Sequence, residues 1–126
     1  MLLPSGAVPF QVSQPINNSS ADVAIADVLS AAALAAKANR TYYVCTIAAT
    51  NEHATVGLKV SLYSGPSTAA RLIFSQFASK DGGGFAHSFE RVPKHTRKGD
   101  ALVAKVSVAQ AADLNLDLTG YYVDGP

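Results

Sequence analysis

The stretch that decides the fold is residues 113–122, which read Asp-Leu-Asn-Leu-Asp-Leu-Thr-Gly-Tyr-Tyr. Leucines alternate with polar residues along it, so in an extended chain all the leucines point to one side and the polar residues to the other. A period of two is that of a strand with one buried face and one wet face. We therefore predict a strand that places Leu114, Leu116 and Leu118 in the core.

The same period recurs upstream, in residues 56–63. That stretch reads Val-Gly-Leu-Lys-Val-Ser-Leu-Tyr, so it puts Val56, Leu58, Val60 and Leu62 on one face. Turns rich in Gly, Asn, Asp and Pro separate further predicted strands, which cover residues 8–13, 41–50, 69–77, 84–90 and 101–109. Short strands at regular spacing are typical of a sandwich or jelly roll. The predicted fold class is all-β: an antiparallel, jelly-roll-like β-sandwich of about eight strands.

Two segments depart from this pattern. Residues 1–20 contain three prolines and a polar run at 17–20, so we predict an extended N-terminal arm that carries the short strand 8–13. Residues 21–126 are predicted to form one β-sandwich domain. Within it, residues 21–38 are half alanine and fit a strand or a helix, and we expect a strand to about Val28 followed by a helical turn or a loop.

Composition limits the classes of function. A chain of 126 residues fits one domain, and 48% apolar against 15% charged residues is the opposite of the balance found in disordered chains. Ten basic and nine acidic residues give no overall field that would attract nucleic acid or an anionic membrane. We therefore expect neither as a partner. The start of the chain lacks the basic segment followed by an apolar segment that is typical of a secretory signal.

Residues that could bind a metal ion do not group at ligand spacing. His53 and His95 fall in predicted turns, His87 stands alone on a strand, and there is no Cys-x-x-Cys or His-x-His motif. Residues 113–117 imitate the start of a calcium loop but lack the Gly at position six and the Glu at position twelve. We predict that the protein binds no metal and no cofactor.

Motifs of other enzymes are equally incomplete. The glycine run at 82–84 lacks the Lys-Ser/Thr ending of a phosphate loop, so it is interpreted as a turn that lets the backbone reverse tightly or approach another chain. No serine lies in a Gly-x-Ser-x-Gly motif, and Cys45 is interpreted as a small core residue. We predict that the protein is not an enzyme and has no catalytic residue.

Basic residues are concentrated in one predicted loop, where four of the ten fall within residues 91–98. The loop is either simply solvated or docks on an acidic protein surface, and nucleic acid is disfavoured because no aromatic residues are interleaved there. The arm carries apolar residues but too many prolines for an interior strand, so its apolar surface is expected to be buried on a neighbour. The predicted protein interface consists of Leu2, Leu3, Val8, Phe10, Ile16, Arg91, Lys94, Arg97 and Lys98.

Several segments together resemble a known family. Residues 56–65, 80–85 (Lys-Asp-Gly-Gly-Gly-Phe), 99–103 (Gly-Asp-Ala-Leu-Val) and 116–122 resemble small β-sandwich virion proteins of tailed bacteriophages, and most of all the jelly-roll cement, or head decoration, proteins. The resemblance covers roughly residues 39–124. It implies a virion structural protein that binds the major capsid protein on the outside of the shell and stabilises the lattice. It also implies synthesis in the bacterial cytoplasm and a homo-oligomer, with a trimer favoured over a dimer.

The resemblance leaves alternatives open. The basic loop and the alanine-rich stretch depart from the usual family pattern, which leaves the docking surface undecided. A phage tail or host-surface module, possibly one that binds carbohydrate, would use the same type of fold, and so would a small sandwich enzyme or lectin-like sugar binder. A tail or host-surface module would be marked by an exposed loop rich in aromatic residues. A sandwich enzyme or sugar binder would be marked by polar side chains converging in a pocket.

Overall fold

The computed structural model describes residues 3–16, 23–107 and 114–125 of the chain. In these ranges the chain forms nine strands and one 3₁₀ turn, Ala69–Arg71, with no α-helix. The strands are β1 (Val8–Pro15), β2 (Val23–Ala24), β3 (Arg40–Asn51), β4 (Leu58–Ser64), β5 (Leu72–Ala78), β6 (Gly83–Ser88), β7 (Lys94–His95), β8 (Leu102–Val106) and β9 (Leu114–Asp124).

The strands form two antiparallel sheets, with the orders β1-β9-β3-β6 and β2-β8-β4-β5, and the two-residue β7 pairs with β3 beside β6. Pairing is nested along the chain: β4 pairs with β5, β3 with β6, β2 with β8, and β1 with β9. A long hairpin that wraps around itself in this way is a jelly roll. The predicted all-β sandwich fold is therefore confirmed.

The core lies between the two sheets and is filled by the alternating apolar residues. Leu114, Leu116 and Leu118 are fully buried from one sheet, as are Leu58, Val60 and Leu62 from the other. Val56 is the exception among the predicted core residues, because β4 begins only at Leu58 and Val56 lies half-buried in the preceding loop. There its backbone N–H donates a hydrogen bond to Nδ1 of His53 (3.1 Å).

The N-terminal segment is an edge strand of the first sheet. β1 pairs with β9 along its whole length, from Val8 opposite Tyr122 to Pro15 opposite Asn115. Prolines are tolerated there because the outer side of an edge strand makes no ladder hydrogen bonds. The strand is therefore longer than the predicted 8–13 and belongs to the sandwich itself.

The alanine-rich segment forms little regular structure in its described part. Strand β2 covers only Val23–Ala24, an isolated bridge joins Ala26 to Ala33, and a turn lies between them. Asp27 begins this turn and Ala31 has a positive φ of 61°. Of the two alternatives left open after the strand, the loop is the observed one, and the strand is shorter than expected.

Candidate docking surface

Strands β5 and β6 are the outermost strands of their respective sheets, and they lie on the same side of the sandwich. In the described ranges no strand pairs with the outer edge of either. The opposite edge of the first sheet is covered, because Val28 N–H donates to the carbonyl of Gln11 (2.7 Å) and Asp27 accepts from the Gln11 N–H (2.9 Å). An uncovered strand edge is a site where another chain can bind.

Aromatic rings fill the gap between the two sheets along this side. Phe74 of β5 lies 5.7 Å from the ring centroids of Phe85, His87 and Phe89, and His87 stacks on Phe89 at 6.0 Å. Nε2 of His87 also donates a hydrogen bond to the side-chain oxygen of Gln76 on β5. These contacts hold β5 and β6 together although they belong to different sheets. The three phenylalanines remain half-buried, because no further strand of the described ranges covers them.

Large apolar side chains are exposed along the same side. Leu72 is 47% exposed, Phe77 58% and Val92 79%. β5 carries four large apolar residues and buries none of them fully, whereas β4 beside it buries Leu58, Val60 and Leu62 completely. Several large apolar side chains exposed near one another on a folded domain mark a candidate contact with another molecule. We call this surface the β5–β6 edge; it consists of Leu72, Phe74, Phe77, Phe85, Phe89 and Val92.

A cleft of about 390 Å³ opens where the β5–β6 edge meets residues 92–97. Basic and apolar side chains line it together. The basic and imidazole side chains are Arg71, Lys94, His95 and Arg97, and the apolar side chains are Leu72, Ile73, Val92 and Pro93. Among the residues that the structure describes, no acidic one lines the cleft.

Residues 92–97, which supply most of the basic side chains of the cleft, are anchored to both sheets. β7 pairs with β3 at Tyr43 and Val44. Thr96 is buried, and its hydroxyl accepts a hydrogen bond from the backbone N–H of Tyr42 (3.0 Å). The N–H of Arg97 donates to the hydroxyl of Ser64 on β4, in the second sheet (2.8 Å). The segment is therefore held in one position and is not a freely solvated loop.

The basic side chains of the cleft are oriented by few partners. Arg71 pairs with Asp100 (2.5 Å), which also accepts a hydrogen bond from Ser64 (2.8 Å). Arg97 donates to the carbonyl of Ala70 at 3.2 Å. Lys94 lies over the ring of Phe89 at 5.5 Å. Since Asp100 balances only Arg71, the cleft keeps the two positive charges of Lys94 and Arg97.

The structure separates the four basic residues predicted for the interface. Lys94 and Arg97 line the cleft, whereas Arg91 is exposed outside it and Lys98 extends towards Gly125 at the C-terminal end. Arg71 is the member that sequence reasoning missed. It lies more than twenty residues before Lys94 in the chain, and no local pattern joins the two.

The apolar residues predicted for the interface are divided as well. Leu3 and Val8 are exposed, and Leu2 lies outside the described residues. Phe10 and Ile16 are 2% and 0% exposed in the chain's own core. The expectation that these two bury on a neighbour is wrong, because β1 pairs with β9 in a register that turns Phe10 inward opposite Gly120.

Two side chains outside the cleft, His53 and Cys45, have surroundings that explain them structurally. Nδ1 of His53 accepts hydrogen bonds from the N–H groups of Thr55 (3.2 Å) and Val56 (3.1 Å), so His53 stabilises its turn. Cys45 is 3% exposed at a bulge in β3, and burial raises the pKa of its thiol. In the described residues no three His, Cys, Asp or Glu side chains are grouped to hold a metal ion. No helix there has the length and hydrophobicity to cross a membrane.

In the described residues the protein is an antiparallel jelly-roll sandwich with an open edge at β5 and β6, where large apolar side chains are exposed and a basic cleft lies at one end. No protein-family model matches the chain, and no curated protein matches it significantly.

Proposed function

We propose that the protein is a non-enzymatic virion structural protein that binds the outside of a phage capsid lattice and stabilises it. The observation that carries the proposal is the β5–β6 edge, where large apolar side chains stay exposed on an otherwise well-packed sandwich. The resemblance of residues 56–65, 80–85, 99–103 and 116–122 to head decoration proteins supports the choice of partner, the major capsid protein.

The chemistry of the edge fits attachment to a repeated protein surface. Burial of apolar side chains slows release, and the basic cleft beside them accelerates and orients the approach to an acidic surface. A capsid presents the same contact many times, so contacts that are weak one by one add up when subunits are linked. The exposed side chains of Phe77 and Val92 are the expected apolar contacts.

A homo-oligomer is part of the proposal, with a trimer favoured over a dimer. Decoration proteins sit on symmetry axes of a lattice, and linked subunits gain avidity there. Light scattering of the purified chain at micromolar concentration measures its mass. A trimeric mass supports this part of the proposal, and a strict monomer both in solution and on the particle contradicts it.

The test is co-sedimentation of the purified chain with phage capsids. The capsids come from the phage that encodes the protein and are prepared without the protein. We expect saturable binding with a fixed number of copies per capsid and a higher temperature of capsid disruption when the protein is bound. Protein that stays in the supernatant at every concentration contradicts the proposal. Sedimentation with host-cell envelopes in place of capsids supports the alternative of a host-surface binding module.

A further inference from the structure

The structure assigns a specific ligand chemistry to the cleft between β5 and residues 92–97: we infer that it binds an acidic peptide segment, with carboxylates on Lys94 and Arg97 and a neighbouring apolar side chain on the apolar part of the lining. This inference rests on the proposed function, because it names the part of the capsid protein that the docking surface recognises. It assigns ligand binding to Lys94 and Arg97, which line the cleft, and not to Arg91 and Lys98, which lie outside it.

Charge favours an anionic ligand. Of the three cationic side chains that line the cleft, Arg71 is neutralised by Asp100 at 2.5 Å. Lys94 and Arg97 form no ion pair with any described residue. Two unbalanced positive charges in one concave site attract carboxylates and bind them through charge-assisted hydrogen bonds.

The apolar part of the lining decides between an acidic peptide and a free inorganic anion. It consists of Leu72, Ile73, Val92 and Pro93, and an inorganic anion offers nothing to pack against them. A peptide with alternating acidic and apolar residues places both kinds of group a few ångströms apart. The volume of about 390 Å³ is that of a small binding pocket, enough for a few side chains.

The backbone of the cleft is already in place. The N–H of Arg97 is hydrogen-bonded to Ser64 on β4, and Lys94 lies on β7, which pairs with β3. The side chains are less restricted, since Arg97 donates to the carbonyl of Ala70 and Lys94 lies over Phe89 while both remain exposed. Binding therefore has to order these two side chains but not the backbone that carries them.

The experiment is a titration of the ¹⁵N-labelled protein, followed by NMR, with a blocked tetrapeptide of alternating glutamate and leucine. We expect the amide signals of Ile73, Lys94 and Arg97 to shift, and the affinity to fall as salt rises. The same peptide with glutamine in place of glutamate should cause no shift at these positions. Shifts confined to other parts of the protein, or none with either peptide, overturn the inference.

A pair of matched variants separates the site from the net charge of the protein. Lys94→Gln with Arg97→Gln removes two charges from the cleft, and Lys59→Gln with Lys80→Gln removes two exposed charges outside it. The first pair should weaken binding of the peptide about tenfold and the second less than about twofold. Equal losses in both overturn the inference, as does inorganic phosphate that displaces the peptide and causes the same shifts. Thermal unfolding of each variant verifies that it is folded.

Capsid binding, measured in parallel, keeps the two proposals apart. A protein that binds the tetrapeptide but no capsid contradicts the proposed function and supports the ligand assigned to the cleft. A protein that binds capsids but not the tetrapeptide contradicts the ligand assignment alone.

Discussion

Phe74 of β5 and Phe85 of β6 hold their ring centroids 5.7 Å apart, although their strands belong to different sheets. Each ring points into the sandwich, opposite the buried side chains of Leu62 and Ala49 on the neighbouring strands. Both stay half-buried because each strand is the last of its sheet. The contact closes the core while leaving apolar surface that a partner can cover.

If the proposed function holds, apolar residues at the two ends of this edge should govern the lifetime of the complex with the capsid. Phe77→Ser with Val92→Ser should speed release and leave the free energy of unfolding within about 1 kcal/mol of wild type, because both side chains are exposed. The matched control is Val28→Ser with Leu29→Ser, which are exposed at the opposite edge. Dissociation rates from immobilised capsids test this. Equal rates for wild type and the edge variant would place the contact elsewhere.

Leucines of β9 should dominate stability. Leu116→Ala should lower the free energy of unfolding by about 2–5 kcal/mol, because Leu116 is fully buried and its truncation leaves a cavity. Val56→Ala should cost less, since Val56 is only half-buried. Urea denaturation with linear extrapolation measures both. If Val56→Ala lowered the free energy of unfolding as much as Leu116→Ala, the loop before β4 would be packed differently from the structure.

Asp27 should connect the stability of the β1 edge to pH. Burial raises the pKa of its carboxyl, but hydrogen bonds from the Gln11 N–H, the Ser30 hydroxyl and the backbone N–H groups of Leu29 and Ser30 outweigh burial and lower the pKa below its ordinary 3.8. A lowered pKa in the folded state means that the carboxylate stabilises the fold at pH values above about 4. That contribution is lost as the pH falls through the folded-state pKa.

We therefore expect Asp27→Ala to cost about 1–3 kcal/mol at pH 7, because these four donors lose their acceptor. Between pH 5 and pH 2 the wild type should lose more stability than the variant. Denaturation series across this range compare the two proteins, and parallel losses would mean that Asp27 is not responsible. Asp124, whose pKa its hydrogen bond with Arg40 lowers, is unchanged in both.

Cys45 should be chemically inert in the folded protein. Burial, with a smaller contribution from the charge of Glu90, raises the pKa of its thiol above the ordinary 9.0, so the reactive thiolate is scarce near neutral pH. Alkylation by iodoacetamide at pH 8 should therefore be slow in buffer and fast in urea. Equally rapid alkylation in both would show that the β3 bulge is open to solvent.

The glycine run at 82–84, which ends the turn after β5 and begins β6, should tolerate substitution at one position and not at another. Gly82 has a φ of +86° with nothing within 4 Å of a built Cβ, so Gly82→Asn should be nearly neutral. A Cβ at Gly84 would collide with the carbonyl oxygen of Ala49, so Gly84→Ala should cost about 1–3 kcal/mol. Thermal unfolding tests the pair. The backbone that Gly84 approaches closely is thus β3 of its own chain.

Alternation in the sequence predicts the strands β4 and β9 and the six buried leucine and valine residues that they contribute to the core. Alternation along residues 56–63 and 113–119 fixes which side chains share a face, because neighbouring side chains of a strand point in opposite directions whatever surrounds it. Turn residues mark where one strand stops and the next begins. These are local properties, so the β-sandwich could be predicted without knowing how the sheets pack.

Only the tertiary structure decided which surfaces are covered. Phe10 and Ile16 have the same local pattern whether they pack on their own sheet or on a neighbour, and the pairing of β1 with β9 places them in the core. Likewise, Arg71 reaches Lys94 and Arg97 only because the start of β5 lies beside β7. Contacts between residues distant in the chain depend on how whole strands are arranged, and no short stretch of sequence encodes that arrangement.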